Sequence, residues 1–189
     1  MPAAARLVLL SVLWGSSFLF MKVGLEGLSP QQIVLARMLF GAAVLLVVLS
    51  VRGEQFPRSA RIWGHLSALT VVANLVPFFL IAWGERSISS ATAGVLNATT
   101  PLFTTMLAMP LLPEERPTVE KVIGLLLGFA GVIVLLGGGM GQGQLWGYLA
   151  VLLASACYGA AFVYMRRTLS PTGLSPLVLS AAQILAGAV

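Results

Sequence analysis

The chain has 189 residues, of which 58% are hydrophobic and only 9% charged, and its mean hydropathy is +0.97. Soluble domains carry about 25% charged residues, so this composition cannot cover a water-soluble surface. It excludes a soluble globular domain and predicts a protein whose main partner is the lipid bilayer.

Few residues could support metal or cofactor chemistry. His65 and Cys157 are the single residues of their types, and all six acidic residues are glutamates. One Cys and one His exclude a disulfide framework and any zinc or iron site built from several soft ligands. Without Asp, the Asp-rich motifs that hold Mg²⁺-phosphate are missing as well. We therefore expect no metal and no cofactor.

Apolar stretches follow one another along the whole chain. A transmembrane helix needs roughly 20 apolar residues, and the sequence predicts such spans at about 5–25, 30–50, 63–84, 89–112, 119–138, 145–165 and from 175 onward. Runs such as Val44 to Leu49 are apolar at every residue, which argues against the alternation of a membrane barrel. The predicted fold class is an all-α, polytopic membrane helical bundle.

The basic residues predict the orientation of the bundle, because cytoplasmic loops are enriched in Lys and Arg. With a cytoplasmic N-terminus, the inner ends hold eight of the 11 basic residues, namely Arg6, Arg52, Arg58, Arg61, Arg116, Lys121, Arg166 and Arg167, while the outer loops hold Arg86 alone. The net charge of +5 is thus a topology signal, and no nucleic-acid partner is expected.

The sequence contains an internal repeat. Trp14 to Lys22 matches Tyr158 to Arg166 in its aromatic, Gly, Phe, Met and basic residues, and Leu28 to Pro30 matches Leu174 to Pro176. Five spans separate the two starting points, so the second unit enters the membrane from the opposite side. Inverted repeats of this kind form the midplane sites of many secondary transporters.

The order and spacing of several motifs resemble the five-helix EamA unit of the drug/metabolite transporter (DMT) superfamily. The matching residues are Trp14-Gly15-Ser16-Ser17-Phe18, Arg37, Pro101, Glu115-Arg116 and Gly124 to Gly131. The resemblance implies a first EamA repeat at 1–138, a Gly-rich inter-repeat loop at 139–144 and the start of a second repeat at 145–189. It also implies ten helices in the complete fold and a role in exporting small metabolites.

The last predicted span is short. Ser175 to Val189 would extend roughly 22 Å as a helix, less than the hydrocarbon thickness. We therefore expect a truncated second repeat and a fragment that is inactive alone. Self-association or the missing second-repeat helices would be its protein partners.

Arg37 and Lys22 are the only charges that enter the predicted spans. A charged residue at membrane depth is costly and is by default a functional hypothesis. Lys22 lies near a span end, where it can reach the interface as a plain anchor. For Arg37 two readings stay open, a structural anchor or ion pair with Glu26, and a group that attracts anionic parts of a substrate.

Polar residues near prolines and a set of aromatic residues are the other candidate substrate-binding groups. Asn74 precedes Pro77, and Asn97 and Thr100 precede Pro101. These prolines predict helix breaks that free backbone carbonyls, so the polar groups either cement helices together or line a binding surface. Trp14 and Ser17 share a helix face that Tyr158 mirrors in the repeat, and this face is either packing or a shared central cavity.

The six glutamates all fall at span ends or in loops, which predicts no proton coupling through a carboxylate of this unit. We expect a multi-pass protein of the cell inner (plasma) membrane that exports a small-molecule substrate, amino-acid-like or otherwise polar or amphipathic, by alternating access. The alternatives are a structural or assembly subunit without transport and an intramembrane enzyme. An intramembrane enzyme would need a nucleophile near a His at membrane depth, whereas His65 is expected at the cytoplasmic boundary. We therefore expect that the protein is not an enzyme.

Overall fold

The computed structural model describes residues 2–115, 117–137 and 144–188, with the backbone alone at 135–137. The described residues form helices and no strands, which confirms the predicted all-α bundle. The α-helices are α1 (Ala3–Gly24), α2 (Pro30–Arg52), α3 (Ala60–Thr70), α4 (Val76–Gly84), α5 (Ser90–Asn97), α6 (Thr100–Leu111), α7 (Val119–Gly137), α8 (Gln144–Thr168) and α9 (Pro176–Ala188). Of the predicted inter-repeat loop, residues 139–143 lie outside the described part.

Four of the described helices are long and apolar enough to cross a bilayer. They comprise Ala3–Gly24, Pro30–Arg52, the continuous stretch Ala60–Gly84, and Gln144–Thr172. Pro176–Ala188 is shorter and also apolar. The segment predicted as one span at 89–112 is instead divided into α5 and α6.

Local sequence explains where α2 begins and ends. Ser29 caps the helix: its Oγ accepts from the Gln32 backbone N–H at 3.3 Å, and the Gln32 side chain accepts from the Ser29 N–H at 2.8 Å. Pro30 occupies the first helical position, where its missing N–H costs nothing. Gly53 ends the helix with φ 65°, a left-handed conformation that glycine adopts readily.

Two interruptions bend the bundle's central helices. A π-helical segment, Val71–Leu75, joins α3 to α4 directly before Pro77, because the proline ring would clash with the carbonyl of residue 73 in a regular helix. Between α5 and α6, Ala98 and Thr99 form a turn just before Pro101. Both interruptions lie in the middle of apolar segments.

Helix α8 is the centre of the packing. It contacts α4, α5 and α6, while α9 packs against α2 and α3. Gly159 allows α8 to approach the backbone of α6 closely: a Cβ there would lie 2.8 Å from the backbone nitrogen of Thr104. The largest buried apolar cluster joins α8 to α1, α2, α4 and α5, and it includes Phe18, Met21, Ile33, Ile81, Leu96, Val151 and Tyr158.

Candidate substrate site

A small cavity brings four of the sequence-predicted site residues together. It has a volume of about 60 Å³ and is lined by residues of α1, α2, α4 and α8, namely Trp14, Ser17, Phe18, Met21, Arg37, Phe78, Ile81 and Tyr158. Polar groups therefore meet aromatic rings at one point inside the bundle. Small-molecule sites likewise combine a mostly apolar lining with a few placed polar groups, but their usual volume of about 300–1,000 Å³ is larger than that of this cavity.

Arg37 is held in the cavity from two sides. Its Nη1 donates to the Ser17 Oγ at 2.6 Å, and its guanidinium carbon lies 4.4 Å from the centre of the Phe78 ring. Its Nε is buried without a hydrogen-bond partner among the described residues. Within the described part of the chain, the ion pairs do not include the pair with Glu26 that the sequence left open. Arg37 thus keeps donor capacity for a further acceptor.

Trp14 and Tyr158 line both this cavity and a larger one. Their ring centres lie 6.3 Å apart in an edge-to-face arrangement. The larger cavity has a volume of about 300 Å³ and extends to Leu69, Ala73, Ala161, Phe162, Met165, Ser180 and Gln183. The two cavities therefore meet at one aromatic pair.

Asn74, Asn97 and Thr100 are not among the residues that line either cavity. Asn74 lies in the π-helical segment and Asn97 at the end of α5, and each is buried with one side-chain atom unpaired among the described residues. The Thr100 hydroxyl donates to the Asn97 carbonyl at 2.7 Å. The Thr100 hydroxyl thus supplies a hydrogen bond to a backbone carbonyl beside the α5–α6 interruption.

Lys22 points into the bundle and binds the turn after α4. Its Nζ donates to the backbone carbonyl oxygens of Glu85 and, at 3.0 Å, of Ile88. A cation at the C-terminal end of a helix is favoured by the helix dipole and by the unpaired carbonyls there. Lys22 therefore joins α1 to the α4–α5 turn and is more than an interfacial anchor.

Glu85 lies at the end of a span, as the sequence predicts, but its side chain is buried. Its exposed fraction is 0%, and neither carboxyl oxygen has a hydrogen-bond partner among the described residues. A position at a span end indicates depth along the helix and not whether neighbouring helices cover the side chain. The bundle therefore contains a buried carboxyl at the end of a span.

At the opposite end of α8, Glu115 forms a polar network outside the spans. Lys121 Nζ lies 2.8 Å from its Oε2, and Arg166 Nη1 lies 3.0 Å from its Oε1. The hydrogen bonds from Lys121 and then Arg166 hold the pKa of Glu115 below its ordinary value. The network ties α8 to the loop before α7.

Phe78 was missed by the sequence reasoning, because its role depends on α2 and α4 being neighbours. Its position directly after Pro77 is the one local signal that pointed to this region. Gln183, which would correspond to Arg37 at the spacing that relates Leu28 to Leu174 in the predicted repeat, lines the larger cavity. Within the described residues no three His, Cys, Asp or Glu side chains are grouped so that they could hold a metal ion.

Comparisons with known proteins match this architecture to transporters. Residues 2–137 match the model of the EamA-like transporter family. The chain is 28% identical over 182 residues to the "Uncharacterized inner membrane transporter YedA" of Escherichia coli (strain K12), covering 92% of this chain and 56% of that protein. It is 29% identical to the "Uncharacterized transporter YdfC" of Bacillus subtilis (strain 168), covering 88% of this chain and 54% of that protein.

Two further comparisons bear on a named function and on the fold. A "Probable terminal-alkyne amino-acid exporter" of Streptantibioticus cattleyicolor is 29% identical and covers 70% of this chain and 44% of that protein. A crystal structure whose sequence is 22% identical has a TM-score of 0.60, and the match covers 94% of this chain and 66% of the chain in that structure. This similarity supports the fold. The chain spans about half the length of the curated relatives it matches. Since the family model matches 2–137, the chain belongs to the EamA-like transporter family.

Proposed function

We propose that this chain is part of a carrier that exports small polar or amphipathic metabolites, amino-acid-like solutes in particular, across the cell inner membrane. The observation that carries the proposal is the position of Arg37, a cation with free donor capacity in a cavity inside a bundle of the EamA-like family. The relative named as an amino-acid exporter supports the same class of substrate.

The chemistry of Arg37 favours a substrate with a carboxylate. A guanidinium presents its donors in a planar fork that matches the two oxygens of a carboxylate, and charge-assisted bonds of this kind are strong. Ser17 and Phe78 fix the orientation of the fork before a solute arrives. Trp14 and Tyr158 would then contact the apolar part of the solute. A zwitterionic or anionic solute fits these groups better than a cation does.

The two cavities suggest how such a solute would move. The larger one includes Leu69, Met165 and Ser180, and it shares the Trp14–Tyr158 pair with the smaller one. In an alternating-access cycle, the aromatic pair closes the path on one side while the helices beyond it separate on the other. Repeat units that rock against each other around a fixed site produce such a cycle.

The orientation and the division into repeats belong to the same proposal. We place the N-terminus in the cytoplasm, because the positive residues cluster at that end of the bundle. Residues 1–138 would form one EamA repeat, and 145–189 would begin a second of opposite orientation. Trp14 and Tyr158, which are repeat counterparts, would then face each other at the interface of the two units.

Uptake into vesicles that contain the full-length transporter tests the proposal. We expect a zwitterionic amino acid to be transported in preference to a cationic dye, and Arg37→Gln to abolish that preference. Arg167→Gln is the matched control, since Arg167 is exposed at the end of α8. Dye transport that exceeds amino-acid transport and does not change in Arg37→Gln would contradict the role of Arg37. Absence of any transport would favour an assembly subunit.

A further inference from the structure

Glu85 has the surroundings of a carboxyl that is kept neutral. Its side chain is wholly buried, and both oxygens lack hydrogen-bond partners among the described residues. An ionised carboxylate removed from water without hydrogen bonds is strongly disfavoured, and such groups usually bind a proton instead. Burial of this kind requires either a partner charge in close contact or protonation.

The neighbouring charges do not supply close contact. Among the described residues, the charges that act on the Glu85 carboxyl are Lys22 of α1 and Arg37 of α2, but neither forms an ion pair with it. The Lys22 ammonium is bound to the backbone carbonyls of Glu85 and Ile88, and Arg37 is bound to Ser17. Both cations are thus engaged elsewhere.

Close helix contacts shut water out around Glu85. Gly84, the preceding residue, meets Gly147 of α8 so closely that a Cβ on Gly84 would lie 2.9 Å from the Gly147 carbonyl oxygen. On the other side, Lys22 ties α1 to the same turn. Glu85 can reach water only if these helices separate, and on separation it would come to lie in water beside two cations that favour its ionised form.

We propose that Glu85 is a proton-binding site whose occupancy follows the opening of this end of the bundle. The carboxyl holds a proton while α1, α4 and α8 are closed around it and releases that proton to water when they separate. Closing therefore binds one proton, so low pH favours the closed conformation and rising pH favours the open one. The protonation of Glu85 does not depend on the proposed function. Its link to opening rests on the alternating access proposed above.

Infrared spectroscopy of the full-length protein in vesicles measures the protonation directly and needs no substrate. Above about pH 6, ordinary glutamates, with a pKa of about 4.3, are ionised, so a carboxylic-acid C=O band that remains there reports a buried acid. We expect this band in wild type and in Glu26→Gln, whose glutamate is exposed at the same end of the bundle, and its loss in Glu85→Gln. Identical spectra of wild type and Glu85→Gln would overturn the proposal.

Thermal stability gives a second test that does not depend on the spectrum. Gln has the shape of a neutral glutamic acid, so Glu85→Gln should leave the melting temperature near that of wild type if the buried group is protonated. If Glu85 is instead an anion that balances Lys22 and Arg37, Glu85→Gln would leave two uncompensated cations and lower the melting temperature strongly. A strong decrease would therefore overturn the proposal.

Thiol labelling tests the link to opening. In a Cys157→Ala background, a cysteine at Ile88, which is 3% exposed, should react only when this end opens. We expect the ratio of labelling rates between Glu85 and Glu85→Gln proteins to rise with pH, by at most about tenfold per pH unit for one linked proton. Because the same thiol is labelled in both proteins, the ratio removes the effect of the thiol's own ionisation on the rate. A ratio independent of pH would overturn the link to opening, and if the infrared band persists, the fault lies in the proposed cycle and not in the proton site.

Discussion

Gly84 and Gly147 bring the backbones of α4 and α8 into direct contact. A Cβ on Gly147 would lie 2.9 Å from the Gly84 carbonyl oxygen and 2.4 Å from the Ser87 Oγ. Between membrane helices, small residues allow the close van der Waals packing that holds the helices together. The junction thus depends on the absence of two side chains, and the apolar side chains of Val151 and Ile88 pack beside it.

Substitution of Gly147 should therefore separate α4 from α8. We expect Gly147→Ala to lower the free energy of unfolding by about 1–3 kcal/mol, the usual cost of forcing an extra group into a packed site. Gly64→Ala is the matched control, because a Cβ at Gly64 in α3 would meet no atom within 4 Å. Thermal unfolding in detergent would measure both. Equal stability of the two variants would show that the contact relaxes without cost.

Phe78 should stabilise the position of Arg37. Its ring lies under the guanidinium, and a cation–π contact contributes about 0.5–1 kcal/mol at exposed sites and about 2 kcal/mol where the cation is desolvated. We expect Phe78→Leu to lower the free energy of unfolding by about 1 kcal/mol beyond Phe40→Leu, a control on α2 whose ring is exposed. In an Arg37→Gln background, the difference between the two phenylalanine variants should decrease. A difference that persists there would mean that Phe78 acts by packing alone.

The Glu115 network predicts a pH dependence at the other end of the bundle. Because the pKa of Glu115 is lowered in the folded protein, its contribution to stability is present above the ordinary glutamate pKa of about 4.3 and is lost as the pH falls through the lowered value. We expect Glu115→Gln to weaken the acid-induced loss of stability, measured as melting temperature against pH. The Glu115 side chain is 32% exposed, so the effect should be small and should shrink at high salt.

Glu120→Gln, which changes an exposed glutamate in the first turn of α7, is the control for that measurement. An equal change in both variants would show that general charge repulsion, and not the contacts with Lys121 and Arg166, causes the acid dependence.

Orientation in the membrane can be tested with positions whose surroundings the structure describes. Ser59 precedes α3 and Gly27 follows α1, and both are exposed at opposite ends of the bundle. In a Cys157→Ala background, we expect Ser59→Cys to be labelled from the cytoplasm and Gly27→Cys from outside by a reagent that cannot cross the membrane. The reverse pattern would invert the proposed topology, and labelling of both from one side would contradict the spans.

The sequence could predict those features that depend on neighbours along the chain. Pro77 and Pro101 stand where the helices are interrupted, since the missing N–H acts on the preceding turn. The sequence could not show which helices become neighbours in space. For that reason the sequence did not predict the contact of Arg37 with Phe78 or the burial of Glu85, although all three residues lie in predicted spans or at their ends.

The same distinction holds for the glycines of the repeat. Gly15 and Gly159 are equivalent in sequence, yet a Cβ on Gly15 would meet nothing within 4 Å, while one on Gly159 would lie 2.8 Å from the α6 backbone. Residues that match in the predicted repeat therefore have different surroundings. A predicted repeat pattern thus cannot assign contacts to each copy.

The contact between Trp14 and Tyr158 should act as the barrier between the two cavities. The rings are the residues common to both linings, so removal of the larger ring joins spaces of about 60 and 300 Å³. If the bundle alternates as proposed, a variant without this barrier offers an open path whenever the Glu85 end separates. Trp14→Ala should therefore leak.

We expect vesicles with Trp14→Ala to lose a preloaded zwitterionic amino acid faster than vesicles with the wild type. A second solute should inhibit this efflux less, because a continuous path has no single binding site for which the two solutes compete. Tyr158→Phe keeps its ring and should not leak. Trp146→Ala is the matched control: its indole is exposed at the start of α8 and lines neither cavity. Efflux from Trp14→Ala at the wild-type rate, with protein of equal abundance, would show that the rings only pack the bundle and that the barrier lies elsewhere.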